Sequence, residues 1–188
     1  MVQLTCIYTR GGDKGKSSLG DGSRLAKDDL RFEAIGNIDE ANSSLGLARL
    51  HAPTFSPDLD ALLYTIQNDL FDVGADLCMP DLATSGLRIS EHQVKVLEDY
   101  IDKHNATLTP LNSFVLPGGS QISAALHLSR TIVRRAERSL VALHHKNELN
   151  LELIKYVNRL SDLLFVLARY CNNGGEGDIL WVPGQNRS

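Results

Sequence analysis

The chain has 188 residues, of which 43% are hydrophobic and 22% charged, and its net charge is −4. That apolar content excludes a chain disordered throughout. The longest unbroken apolar run, Leu163–Ala168, is six residues, against the roughly 20 that a membrane-spanning helix needs. A general nucleic-acid binder is usually basic, so the acidic balance argues against that class. The length suits a single domain, 1–188, able to bury its own core.

The three cysteines, Cys6, Cys78 and Cys171, form no C-x-x-C pair, which argues against a disulfide framework and excludes a zinc ribbon. The start, MVQLTCIYTR, lacks the basic and apolar segments of a secretory signal, so a cytoplasmic location is expected.

In chain order, Leu4–Tyr8 alternates and reads as a short strand. A Gly-rich loop follows, with five of the 15 glycines between Gly11 and Gly22. From Asp28 to about His51, Leu30, Ala34, Ile38, Ala41, Leu45 and Ala48 recur at helical spacing. Pro57-Asp58 opens a second helix, with Leu59, Leu63, Ile66, Leu70, Val73 and Leu77 on one face, ending by Pro80. Ser90 reads as the N-cap of a third helix carrying Val94, Leu97 and Ile101. Residues 107–118 hold two prolines and read as a loop. No glycine or proline occurs between Gly119 and Gly174, so two long helices are expected, Ser120 to about Leu143 and Leu149 to about Tyr170. The tail, 173–188, reads as polar and partly mobile. The expected class is all-α: an antiparallel five-helix bundle (27–172) behind an N-terminal Gly-rich loop (1–26).

Three sets of residues carry chemistry. The first is Thr9-Arg10-Gly11-Gly12-Asp13-Lys14-Gly15-Lys16-Ser17-Ser18. Its glycines let backbone N–H groups face an anion, while Arg10, Lys14 and Lys16 add charge and Ser17 and Ser18 add hydroxyls. It is not a Walker A motif, because the glycine before Gly15 falls one residue too close, at Gly11. A merely turn-rich loop would read the same way. The second set is Arg130, Arg134, Arg135 and Arg138, with Glu137 the only acid of that helix. Arg130, Arg134 and Arg138 share one face, which suits phosphate, although an ion-paired surface would also do so. The third comprises Asn37, Asp39, Glu40 and Asn42 on the first helix and Asn158, Arg159 and Asp162 on the last. Asp39 lies between core positions Ile38 and Ala41, where a carboxylate wants a cation. No H-E-x-x-H, G-x-S-x-G or nucleophile–base pair occurs, which points to positioning and charge stabilisation rather than covalent catalysis.

Taken together and in order, TRGGDKGKSSLGDGSR, KDDLRFEAIGNIDEANSSLG, IQNDLFDVGADL, FVLPGGS, RTIVRRAERSL and YVNRLSDLLFVLARY resemble the PduO-type ATP:cob(I)alamin adenosyltransferase family. The resemblance implies transfer of the 5′-deoxyadenosyl group of ATP to the cobalt of cob(I)alamin, giving adenosylcobalamin and triphosphate. It implies a homotrimer with active sites between subunits and a magnesium ion carried by ATP, with no metal site of the protein itself. It assigns Thr9, Arg10, Gly11, Gly12, Asp13, Gly15, Ser17, Ser18 and Lys27 to ATP, together with Arg134, Arg135, Glu137, Arg138 and Asn158. Asp39 would pair across the subunit boundary with Arg130. Phe114 would lie under the corrin and exclude the lower axial ligand. A cob(II)alamin reductase and an adenosylcobalamin-dependent enzyme are possible partners. Gly11 and Lys16 depart from the residue types the family favours, threonine or asparagine at the first and threonine or phenylalanine at the second. The alternative reading is a non-catalytic helical module that binds nucleotide or delivers cobalamin. A kinase-like transferase is a weaker one, lacking a general base and a metal-binding acid cluster.

Overall fold

The computed structural model describes residues 7–187. It is mostly helical: β1 (Lys16–Ser18), β2 (Arg24–Ala26), α1 (Leu30–Arg49), α2 (Ala52–Phe55), α3 (Pro57–Leu77), α4 (Glu91–Asn105), α5 (Gln121–His144), α6 (Leu151–Tyr170) and a 3-10 turn at Asn173–Gly175. Helix α1 packs on α5 and α3, and α6 packs on α5 and α4.

The helices begin where side chains satisfy their free N–H groups. Asp29 accepts from Arg31 N, Ser120 from Ser123 N and Asn150 from Glu152 N. Ser90 and Gln93 form a capping box, with Gln93 Oε1 accepting from Ser90 N at 3.0 Å. The apolar stripes read from the sequence supply the core, in which Ala34, Leu45, Leu63, Leu126, Leu140, Leu160 and Leu164 are fully buried.

Two expectations are corrected. The fold is not purely helical, because β1 and β2 pair antiparallel with Ser17 opposite Leu25. There are six α-helices among the described residues, because the chain makes an extra turn, α2, before Pro57; Pro53 sits in its first turn, where a missing N–H costs nothing. The strand expected over Leu4–Tyr8 lies mostly outside the described residues, and Ile7 and Tyr8 are not in a strand. Part of the tail is paired in a way the sequence did not suggest: Leu116 N donates to Ile179 O at 2.8 Å, and Val115 and Leu180 form a β-bridge.

Buried Asp76 joins three segments. Its carboxylate accepts from Arg88 Nη1 at 2.7 Å, Ile89 N at 3.0 Å and Asn150 Nδ2 at 2.8 Å. The end of α3, the connection to α4 and the start of α6 therefore share one carboxylate. Asp76→Ala would leave the buried Ile89 N–H without its acceptor and the Arg88 guanidinium without its counter-charge, with only backbone carbonyls left to it. It is expected to lower unfolding free energy by about 3–5 kcal/mol, read by urea denaturation; a loss below about 1 kcal/mol would show the junction to be a surface ion pair.

Candidate functional site

The Gly-rich loop is a built object. Gly15 and Gly22 take positive φ, of 74° and 84°. Lys27 N donates to Gly15 O at 2.8 Å, and Gly20 N donates to Cys78 O at 2.9 Å, fastening the loop between the start of α1 and the end of α3. Arg24 holds its interior, donating to Gly11 O at 2.7 Å, Lys16 O at 3.1 Å and Ser18 Oγ at 3.1 Å. The Lys27 ammonium lies against Gly12, 2.9 Å from where a Cβ would stand. Thr9, Arg10, Asp13, Lys14, Gly15 and Ser18 are exposed, with Gly12 and Ser17 half-buried. Arg10 is one of two non-glycine residues with positive φ among those described, at 59°, and its guanidinium lies over the Tyr8 ring. The sequence reading missed Arg24. Its basic side chain two residues after Gly22 was the signal available.

The arginines of α5 have different surroundings. Arg135 pairs with Glu40 of α1, and Arg138 Nη1 donates back to Arg134 O at 3.0 Å. Glu137 accepts from Asn158 Nδ2 at 2.8 Å, and Arg159 pairs with Glu98 at 3.0 Å. The Arg134 side chain is exposed and makes no hydrogen bond or ion pair among the described residues. Arg130 is half-buried and its Nε has no partner. Burial first, then the Arg134 charge, lowers the Arg130 pKa, so the charged form lacks a neighbour to stabilise it. On α6, desolvation raises the Asp162 pKa, opposed by Arg159 and Arg134 and assisted by Glu137. Arg134, Glu137, Asn158, Arg159 and Asp162 thus form one polar neighbourhood between α5 and α6.

One turn before Arg134 lies an apolar pocket of about 510 Å³, lined by Leu111, Ser113, Phe114, Val115, Arg130 and Phe165. Phe114 is 77% exposed. The Arg130 guanidinium stands 5.9 Å from the Phe165 ring centroid. The sequence reading did not single out Phe165, because within an apolar helix it reads as core.

The polar set on α1 divides. Asn42 and Gln67 exchange side-chain-to-carbonyl hydrogen bonds between α1 and α3, at 3.1 and 3.0 Å, and Asn37 donates to Glu33. Those residues are structural. Asp39 is exposed, makes no ion pair among the described residues and lines a 390 Å³ cleft with Phe32, Ile35 and Phe71. It does not meet Arg130 within the chain. No hydrogen bond or ion pair joins the Gly-rich loop to α5 either, among the described residues. No cluster of three or more His, Cys, Asp or Glu is placed to hold a metal ion, and no helix is long and apolar enough to cross a membrane, among the described residues.

The site is therefore a cationic helix face next to an apolar pocket, with a glycine loop on a separate part of the chain. Sequence comparison agrees with that chemistry. The profile of the cobalamin adenosyltransferase family matches residues 7–171. The corrinoid adenosyltransferase of Mycobacterium tuberculosis is 49% identical over 194 residues, covering 100% of this chain and 98% of that one. The cobalamin adenosyltransferase of Cupriavidus metallidurans is 48% identical, covering 95% of each. A variant of the PduO-type ATP:corrinoid adenosyltransferase from Lactobacillus reuteri, complexed with cobalamin and ATP, superposes with a TM-score of 0.88 at 37% identity, over 94% of this chain and 99% of that one. The chain belongs to the cobalamin adenosyltransferase family.

Arg24→Ala is expected to free the Gly11–Ser18 segment. Limited proteolysis should then cut within 9–27 faster than in the parent chain, while the helical core melts at a temperature unchanged within a few degrees. An unaltered cleavage pattern would remove the clamp assigned to Arg24.

Proposed function

We propose that this chain transfers the 5′-deoxyadenosyl group of ATP to the cobalt of cob(I)alamin. The observation that carries the reading is the pair of unpartnered arginine groups, on Arg130 and Arg134, set beside an apolar pocket that displays Phe114. The reduced cobalt supplies the electron pair for the new bond to C5′. The C5′–O bond breaks, and its electrons leave with triphosphate. No protein nucleophile is needed. The protein must hold C5′ in line with the cobalt and stabilise the charge that gathers on the leaving group.

Arg134, Arg138 and Arg135 are assigned to the phosphates, with Glu137 and Asn158 orienting the nucleotide. Thr9, Arg10, Gly11, Gly12, Asp13, Gly15, Ser17, Ser18 and Lys27 supply a second phosphate-binding wall. Magnesium travels on the nucleotide and shields phosphate charge. Phe114 occupies the lower face of the corrin, where an apolar ring excludes an axial ligand and makes the cobalt easier to reduce. The five long helices then form an antiparallel bundle whose Gly-rich loop binds nucleotide.

The proposed assembly is a homotrimer with sites at subunit boundaries. What supports it is incompleteness within one copy: Asp39 and Arg130 are separate, and the loop and the arginine stripe share no bond. Phe71 and Leu47, on α3 and α1, also remain exposed, at 71% and 56%. A reductase for cob(II)alamin and an enzyme that uses adenosylcobalamin are the expected partners. A cytoplasmic location is supported by the free thiols of Cys78 and Cys171, the latter pushed up to about 12 by burial and so inert.

An anaerobic assay with ATP, magnesium and chemically reduced cobalamin tests the reaction. Loss of cob(I)alamin absorbance, with triphosphate released, is expected only when enzyme and ATP are both present. ATP binding without turnover would favour a delivery module instead. Arg134→Ala should lower kcat roughly 10²–10³-fold, the cost of one preorganised charge donor, without unfolding the chain. Phe114→Ala should impair reduction of cob(II)alamin more than ATP binding; an equal loss of both would remove its assigned role.

A further inference from the structure

Beyond α6 the chain turns back along the loop that carries Phe114, and one buried ion pair holds it there. Asp178 Oδ2 accepts from Arg169 Nε at 2.7 Å, and the two side chains are 3% and 5% exposed. Asp178 Oδ1 accepts from Asn172 Nδ2 at 3.0 Å. Arg169 Nη2 also donates to Thr109 O at 2.9 Å, and Asn172 Oδ1 accepts from Ser120 N at 3.2 Å. The end of α6, the start of α5 and the 107–118 loop thus meet at one carboxylate. The fit is close. A Cβ at Gly119, whose φ is +97°, would overlap the Asn172 amide, and one at Gly177 would stand 2.9 Å from Asn172 Oδ1.

Past this anchor the tail runs alongside the Phe114 loop and meets it at an isolated β-bridge, Val115 with Leu180. Leu116 N donates to Ile179 O at 2.8 Å, Trp181 N donates to Phe114 O at 2.7 Å, and Ser113 Oγ donates to Trp181 O at 2.8 Å. The Trp181 ring lies 6.0 Å from the Phe114 ring, tilted by 59°. Phe114 has no other ring contact among the described residues. An aromatic side chain left so exposed has no core to fix it, so its placement depends on its backbone and on this neighbouring segment.

We infer that Asp178 is a positioning residue for the adenosyl-transfer site: paired with Arg169, it fastens the Ile179–Trp181 segment that holds the Phe114 backbone and side chain toward the apolar pocket. This rests on the role given to Phe114 under the proposed function. Asp178 touches neither substrate. Its effect passes through that segment to one side chain, so it should register on cobalamin and not on ATP.

The test uses the full chain in its native assembly, with Asp178→Asn and with a second form ending at Asp178, each with and without Phe114→Ala. The shortened form keeps the ion pair and removes the segment beyond it, so it remains informative if Asp178→Asn fails to fold. Each form is expected to lose roughly ten- to hundredfold in kcat/KM for cobalamin, the scale of a small misplacement relayed from outside the reacting groups. The KM for ATP should stay within about twofold, since no nucleotide-facing group has moved. The spectrum of bound cob(II)alamin in the presence of ATP should shift toward that of the Phe114→Ala enzyme. Adding Phe114→Ala to either form should cause no further loss, because both changes act through one side chain. Parent-like cobalamin turnover in the shortened form would overturn the inference, as would an additive loss in the combined forms. Parent-like turnover in Phe114→Ala alone would instead remove the role of Phe114, and the anchor's reading with it.

Discussion

Four arginines within two and a half turns of α5 repel one another, and the surroundings of that helix are arranged around this repulsion. Glu40, reaching from α1, neutralises Arg135. Arg138 turns back to the carbonyl of Arg134 and so rests on the helix's own backbone. Arg130 sinks beside Phe165, trading hydration for a ring face. Arg134 keeps its whole fork of donors open to solvent. A planar, permanently charged group with unspent donors matches the oxygens of a phosphate or a carboxylate in bidentate geometry. A bound anion would relieve the repulsion that the fold leaves standing.

The same helix joins the two halves of the chemistry. Arg130 and Arg134 are four residues apart, about 6 Å along the axis. The first lines the apolar pocket and the second belongs to the polar neighbourhood of Glu137, Asn158 and Asp162. A nucleotide on one side and a large planar substrate on the other would meet along that short interval. In-line attack of one upon the other needs little beyond fixed placement, which rigid helices provide better than loops. Phe114, which comes from a loop, is the exception, and the loop is accordingly braced by the returning tail.

The long helices were legible in the sequence because each carries a cap and an uninterrupted stripe. Asp29, Ser56, Ser90, Ser120 and Asn150 stand at their starts, and the absence of glycine and proline between Gly119 and Gly174 delimits the last two. Helix α2 was not legible, because four residues with a proline give no period to read. The β1–β2 pair was missed for a similar reason: three-residue strands carry almost no alternation. Among the candidate site residues, the arginine stripe was visible as a like-charge run on one face. Asn37 and Asn42 were indistinguishable from Asp39 by pattern, and only the partners across α1 and α3 separate structural amides from an exposed carboxylate. The tail's pairing was not legible because Ile179–Trp181 meets residues more than sixty positions earlier. Pairing at that separation leaves no local trace.

The two departures from the family's usual loop residues also become intelligible. Gly11 and Lys16 serve the loop through their carbonyls, both of which accept from Arg24. A carbonyl is common to every residue type, so the clamp does not depend on which side chain stands there. Gly11 does not carry the positive φ of Gly15, and a Cβ built on it would meet Thr9 Oγ1 at an ordinary 3.6 Å. Threonine or asparagine would therefore fit at that position without distorting the backbone. Lys16 is exposed, and β1 holds it through its backbone pairing with Ala26. What the loop fixes is the direction of its peptide groups, and the residues that set this direction are Gly15, whose φ a side chain would strain, and Arg24, whose fork ties the turn together. Sequence change is thus tolerated at the positions whose main chain does the work, and is costly at the two whose side chain, or lack of one, shapes the turn.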